Sequence, residues 1–215
     1  MSRNTLCAFM LAALMAVLMA GCAAITTIQP QEIGVVFNVL TGELEEPLGP
    51  GTHLVNPITQ EVTIYSTAAQ EYTMTDADTE GPQDAVIART ADGQEVRLDV
   101  TVVYRLDPTR INLVHDRWQT SYEAGWVRPI VRSEVRLFVS HYEARDLAAE
   151  GPIIFEEELQ NELETQFDAE GLLLDDVLIR DIHYTQEFSA TLEAEYLATA
   201  TAEAQATQAA ATPIP

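Results

Sequence analysis

The chain has 215 residues, with 34 acidic against 11 basic side chains and a formal net charge of -23; every cation is Arg, and Lys is absent. Such an acid excess excludes nucleic-acid binding, which depends on clustered Lys and Arg, and opposes adhesion to anionic lipid, so any membrane attachment must be apolar or covalent. The length suits one domain with attachments, and both cysteines, Cys7 and Cys22, lie in an N-terminal apolar segment, so the remainder has neither a disulfide nor a thiol nucleophile.

Residues 6–25 form an uncharged apolar run behind Arg3. At about 1.5 Å per residue the run reaches across a hydrocarbon core of about 30 Å. Met19-Ala20-Gly21-Cys22 resembles a bacterial lipobox, in which small residues precede a cysteine that is lipidated and becomes the new N-terminus; Met19 stands where Leu is usual. Lipidation of Cys22 after signal cleavage, an uncleaved membrane anchor, and a plain packing role for Cys22 are the three readings. With Arg3 inside and no cation between the run and Arg89, the positive-inside rule places the domain beyond the run on the outer side of the membrane.

A first strand is expected over 33–40, where Gly34 marks a bulge or a close backbone approach. Residues 43–56 contain Pro47, Gly49, Pro50 and Gly51 and read as a loop; no GK[ST] comes after it, so it is not a phosphate loop. Short strands are expected over 61–66 and 71–74, then an acidic connection over 75–83. The clearest pattern is AVIARTADGQEVRLDVTVVYR, residues 85–105. Val96, Leu98, Val100, Val102 and Tyr104 alternate with Arg97, Asp99 and Thr101, as in a strand buried on one side. Asp92-Gly93 marks a hairpin turn. A two-residue loop would put Arg89 opposite Val96. A three-residue loop, Ala91-Asp92-Gly93 with Gly93 left-handed, pairs Ala88 with Val96 and Val86 with Leu98, and the apolar pairing favours it.

Asp107-Pro108 reads as a helix start, with Ile111, Val114 and His115 on one face. A longer helix is expected over 121–142, with Trp126, Ile130, Glu134 and Leu137/Phe138 at three-to-four spacing, Val127, Val131, Val135 and Val139 widening that side, and Pro129 kinking its first turns. Arg128, Arg132 and Arg136 form a stripe that is either a solvated face or a docking site for an acidic neighbour. After Gly151-Pro152, Phe155, Leu159, Leu163 and Phe167 make an apolar ridge that Gly171 ends. Residues 172–184 read as a strand covered on both sides. From Gln186 the composition turns to Ala, Thr, Glu and Gln, and a stripe of Phe188, Leu192 and Tyr196 runs out into Ala.

Taken in order, IQPQEIGVVFNVLTGEL, PLGPGTHLVNPI, AAQEYTM, DGQEVRLDVTVVYRLDP, SYEAGWVRPIVRSEVRLFVSHYEARDL and GLLLDDVLIRDIHYTQEF resemble the stomatin/prohibitin/flotillin superfamily, the SPFH or band 7 domain, and most closely its prohibitin-like members. The resemblance covers residues 28–188. It implies an α+β fold, a small twisted and largely antiparallel sheet packed with helices. A membrane anchor over residues 1–25 precedes it, and a short Ala-rich helix and tail over 189–215 stands where the family has a long charged coiled coil. A few Ala contacts bury far less than Leu and Ile heptads do.

Little points to chemistry. His53, His115, His141 and His183 are scattered without zinc-ligand spacing, and no GxSxG or other nucleophile motif occurs. Asp175 and Asp176 are neighbours on a strand and point to opposite faces; Asp181 and His183 share a face as a structural contact. No catalytic residue, metal or cofactor is expected, the chain is read as no enzyme, and the one candidate site is lipidation at Cys22. The resemblance implies a membrane-anchored scaffold of the cell envelope, held at a bacterial cell membrane with its domain on the extracytoplasmic side. Its partners would be membrane lipid, further copies of itself and a membrane protease or other membrane protein. The alternative is a monomeric envelope lipoprotein acting as a binding module.

Overall fold

A computed structural model describes residues 24–76, 84–149 and 152–211. Along the chain run β1 (Ala24–Ile28), β2 (Glu32–Asn38), β3 (Glu43–Leu44), β4 (Gly51–Val55), β5 (Gln60–Ser66), β6 (Gln70–Met74), β7 (Val86–Arg89) and β8 (Glu95–Leu106). Then come α1 (Ile111–Trp118), a 3-10 turn (Gln119–Ser121), a π-helical turn (Glu123–Val127), α2 (Arg128–Val139), α3 (Ala144–Ala149), α4 (Pro152–Ala169), β9 (Leu172–Tyr184) and α5 (Gln186–Ala211). They divide into two compact units. The first gathers the described residues up to Gln70 with Arg105–Tyr122 and Phe167–Leu173; the second takes Glu71–Tyr104, Glu123–Gln166 and the residues from Leu174 on.

The first unit holds an antiparallel ribbon, β1 with β4, and a three-stranded sheet in the order β3-β2-β5. The stretch expected as a loop over 43–56 therefore carries two strands. Its Gly and Pro residues break the alternation that would have revealed them, and pairing with β1 and β2 supplies the order instead. Ala24 and Ile25, read with the apolar run, belong to β1. Gly34 is a site of close approach: a Cβ there would stand 2.6 Å from Ile28 Cδ1 and 3.1 Å from Val62 Cγ1, and its backbone exchanges two hydrogen bonds with Leu48. Buried Tyr65 on β5 is hydrogen-bonded through its hydroxyl to His115 Nδ1 on α1 at 2.7 Å. Burial pushes the Tyr65 phenol up to about 12, so it stays protonated. Helix α1 begins at Ile111, later than Asp107-Pro108 suggests. The Asp107 carboxylate accepts from the Thr109 N–H at 2.8 Å and pairs with Arg110, so its capping capacity goes to a turn ahead of the helix.

In the second unit β6, β8 and β7 are neighbours in that order, and β9 also pairs with β8. The hairpin has the register read from its apolar pairs, Val86 opposite Leu98 and Ala88 opposite Val96. Thr90 and Gln94 close the three-residue loop, and Gly93 sits at φ +82, a conformation that glycine adopts without a Cβ clash. The polar alternates of β8 are less open than a one-sided strand implies. Asp99 and Thr101 are buried, the first accepting the Thr75 hydroxyl at 2.6 Å, the second hydrogen-bonded to the Thr73 hydroxyl at 2.9 Å.

The single helix expected over 121–142 is replaced by the 3-10 turn, the π-turn and α2, with Pro129 in the first turn of α2. Pro129 has no N–H to give to the preceding turn, and a π-turn relieves the chain of that bond. The extra residue in the π-turn also breaks the phase of the pattern. The buried stripe is Val127, Val131, Val135 and Val139, whereas Leu137 is 51% exposed. Glu134 is buried and accepts from Gln166 Nε2 at 3.0 Å. On α4, Phe155 packs edge-on against Phe138 and Tyr142 at centroid distances of 5.9 and 6.0 Å. On strand β9 Val177 and Ile179 are buried, while on the other face Leu172 is buried, Ile182 and Tyr184 are half-buried and Leu178 is 40% exposed, so that the expected cover of the second face is partial. The hydrophobic start of α5 is held by Tyr184 against Phe188, rings 5.4 Å apart, and by Arg145 on Glu195. Beyond that, Tyr196 and Leu197 are exposed. Among the described residues no helix is long and apolar enough to cross a membrane; Cys22 and the run up to residue 23 lie outside those residues.

Candidate functional site

Three of the histidines have different neighbours. His53 Nε2 donates to the Gly49 carbonyl at 2.7 Å, His115 meets Tyr65, and His183 Nε2 stands 3.7 Å from Asp181 and 3.8 Å from Asp99. Among the described residues no group of His, Cys, Asp and Glu is placed to hold a metal. Asp176 accepts from the N–H of Val177 next to it, and both it and Asp175 are exposed.

The arginine stripe is partly solvated, with Arg128 and Arg136 exposed and Arg132 half-buried, and the acidic neighbour it meets lies within the chain. Arg128 and Arg132 both close on the Asp84 carboxylate, the latter at 2.6 Å, and Arg136 donates to the Ile87 carbonyl at 2.9 Å. Three guanidinium groups thus fasten α2 along the approach to β7. The hydrogen bond from Arg128, joined by charge attraction from Arg128 and Arg132, holds the Asp84 carboxyl below the usual carboxylate range against the opposing effect of burial.

Two surfaces of the first unit remain without such partners. One is a set of exposed aliphatic side chains at the tips of neighbouring turns. Asn38 Oδ1 accepts from the N–H groups of Leu40 and Thr41, and Asn56 Oδ1 accepts from that of Ile58. Each turn is therefore pinned by an Asn two residues before an exposed aliphatic, and Val39 N–H to Thr59 O at 2.9 Å joins the two. Leu40 is 77% exposed and Ile58 66%. Four residues before Ile58, Leu54 is 74% exposed and lies directly opposite Ile25, 73% exposed, in the β1–β4 ribbon. Ala24, the first described residue, pairs with Val55 beside them. Scattered exposed aliphatics are ordinary, but side chains held out on hydrogen-bonded turns and on a paired strand are presented rigidly.

The other surface is a groove of about 640 Å³ between the β3-β2-β5 sheet and the end of α1. Half-buried Phe37 and Leu44, opposite one another across β2 and β3, form its floor. Glu43, Glu61 and Asp116 rim it from β3, β5 and α1, and His115 lines its inner wall. Neither surface stands out in the sequence. The Asn-x-aliphatic spacing of the two turns is a local signal that could have been read, while the groove assembles residues from five elements and leaves no local trace.

Both surfaces belong to an α+β domain of antiparallel sheets and helices. The SPFH domain / Band 7 family matches the chain over residues 26–212. The chain belongs to that family. It is 25% identical to Prohibitin-1 of Saccharomyces cerevisiae over 79% of its length and 55% of that protein. It is also 25% identical to Prohibitin-3, mitochondrial, of Arabidopsis thaliana over 82% of its length and 60% of that protein. The Mitochondrial prohibitin complex protein 1 of Caenorhabditis elegans is likewise 25% identical, over 79% of the chain and 58% of the relative. The chain thus spans somewhat more than half the length of these relatives.

Proposed function

We propose that this protein is a membrane-anchored, self-associating scaffold of the cell envelope. The apolar run up to Cys22 serves as the anchor with lipidation at Cys22, residues 28–188 as the SPFH domain on the extracytoplasmic side, and residues 189–215 as a short helical tail. The observation that carries the membrane part is the aliphatic turn tips beside Ala24, where the chain leaves the anchor. Apolar side chains beside the attachment point add a second contact with the bilayer to that made by the lipid. Each aliphatic side chain fully removed from water contributes about 1.5–3 kcal/mol. Because Asn38 and Asn56 fix the turns beforehand, little conformational entropy is lost on contact. Self-association is supported by kinship with a relative named as a complex protein, and confinement to a membrane raises the effective concentration of weak lateral contacts. Organisation of membrane patches or restraint of a membrane protease is the role we assign to such an assembly. The second reading, a monomeric envelope lipoprotein acting as a binding module, is favoured by α5, whose apolar stripe ends in exposed Tyr196 and then Ala.

The test uses the full chain in phosphatidylcholine vesicles whose acyl chains carry bromine. A tryptophan placed by Leu40→Trp is quenched on vesicle binding, whereas Trp118 and Trp126 of the parent are not. Absence of extra quenching removes the turn tips from the membrane. Cross-linked mass in the same vesicles decides between the two readings: a ladder of multimers supports the scaffold, and a monomer at every concentration supports the binding module.

A further inference from the structure

We propose that the groove over Phe37 and Leu44 is a docking site for an extended segment of another protein that carries Lys or Arg on either side of an apolar residue. Glu43, Glu61 and Asp116 approach it from three different elements, and none has a hydrogen-bond or ion-pair partner among the described residues. Among those residues no cation lines the groove. Carboxylates of one sign around a half-buried aromatic floor repel each other, and a concave wall of low dielectric concentrates their field. The complement is positive charge with an apolar side chain between. An apolar side chain settles on Phe37 and Leu44, and flanking cations reach the carboxylates, one of them positioned over the phenyl face.

The occupant is not a second copy of this chain. The chain has no Lys and a charge of -23. Seven of its Arg (Arg89, Arg97, Arg110, Arg117, Arg128, Arg132 and Arg145) already pair with its own carboxylates, Arg136 is engaged with the Ile87 carbonyl, and exposed Arg180 is next to Asp181 in a strand with no second Arg. A free polyamine meets the charge but leaves the apolar floor uncovered. The proposal is independent of how the chain is anchored, since every residue it uses lies in the folded unit.

The experiment titrates full chain in nanodiscs into a fluorescein-labelled pentapeptide, LRFRL, and follows anisotropy. Saturable binding is expected, weakening with added salt as screening predicts, and no binding of LEFEL. Glu61→Gln with Asp116→Asn reduces the affinity about tenfold or more, and Leu44→Ser reduces it without changing the salt dependence. Glu157→Gln with Glu164→Gln, which removes two exposed charges from α4, leaves it unchanged. Circular dichroism establishes that each variant is folded. Failure of LRFRL to saturate at millimolar concentration overturns the proposal. So does an equal loss in the α4 control, or competition by spermidine as effective as that by unlabelled LRFRL, since either means diffuse attraction to an acidic surface.

Discussion

In the second unit several acids are tied to partners, while others, such as Glu157 and Glu164 on α4, are exposed. Asp84 holds Arg128 and Arg132, Asp99 takes the Thr75 hydroxyl, Asp92 accepts both the Thr90 hydroxyl and the N–H of Ala144 at the start of α3, and Glu134 takes Gln166. In the first unit the same pairing holds around α1, where Arg110 joins Asp107 to Asp168 and Arg117 reaches Glu170. It stops at the groove and the turn tips, where carboxylates and aliphatics face outward without partners. The second unit is a frame that pairs many of its own polar groups, although the buried Tyr184 hydroxyl has no hydrogen-bond partner among the described residues. The first carries surfaces whose complements lie elsewhere, and mutations should therefore cost stability in one and contacts in the other.

The largest stability effect is expected at Asp84. Its side chain is 14% exposed, and Arg132 beside it 19%. Asp84→Ala strips Arg128, Arg132 and the Tyr72 hydroxyl of their common acceptor, at a cost of about 2 kcal/mol, or a fall in melting temperature of about 4–8 °C. The same residue gives a pH signature. Its folded-state pKa lies below the ordinary 3.8, so the unfolded chain takes up the proton first. Its contribution is whole above the ordinary carboxylate range and is lost as pH falls through that range towards the lower folded value. Denaturation in urea at pH 7 and pH 3 should show a smaller acid loss in Asp84→Asn than in the parent; equal losses would remove Asp84 from the account.

Smaller, and located inside the first unit, is the effect of Gly34→Ala. The added Cβ meets Ile28 Cδ1 at 2.6 Å, and Ile28 is 2% exposed, so the side chain has to move within a filled core at about 1–2 kcal/mol. Ile28→Val removes the offending methyl. In the double variant the two changes should be non-additive, with the alanine costing less than in the parent. Additive losses measured by thermal unfolding would mean that the strain lies elsewhere. With this result the contrast between units sharpens, for the first unit is intolerant within and tolerant at its surfaces.

What the sequence discloses of this arrangement depends on whether neighbours in space are neighbours in the chain. The hairpin is legible to the residue because Ala88, Val96 and Gly93 fix register and loop together. Strand β9 is legible in extent, but its exposure is not, since Leu178 differs from Val177 and Ile179 only in what lies across from it. The π-turn is hidden because a one-residue insertion leaves composition untouched while rotating every later side chain about the axis. It is enough to exchange Ile130 for Val131 as the centre of the buried face. The arginine stripe is visible as a pattern, but its purpose is not, because Asp84 lies 44 residues before Arg128. Strands β1 and β4 order each other, and neither has a pattern strong enough alone.

The smallest expected effect separates the units most directly. Glu43→Gln with Glu61→Gln removes two carboxylates from the groove and disturbs no hydrogen bond among the described residues. In a unit that satisfied its own charges the change would destabilise, as it does at Asp84. Here it relieves repulsion between like charges and with Asp116, so stability at low ionic strength should stay within about 0.5 kcal/mol of the parent, on the favourable side. Any gain should vanish in high salt, where exposed charges are screened. A loss as large as that of Asp84→Ala would mean that the groove carboxylates belong to the frame after all. A gain that disappears with salt is the mark of charges kept in place at some expense to folding, and it leaves a partner as their physical reason.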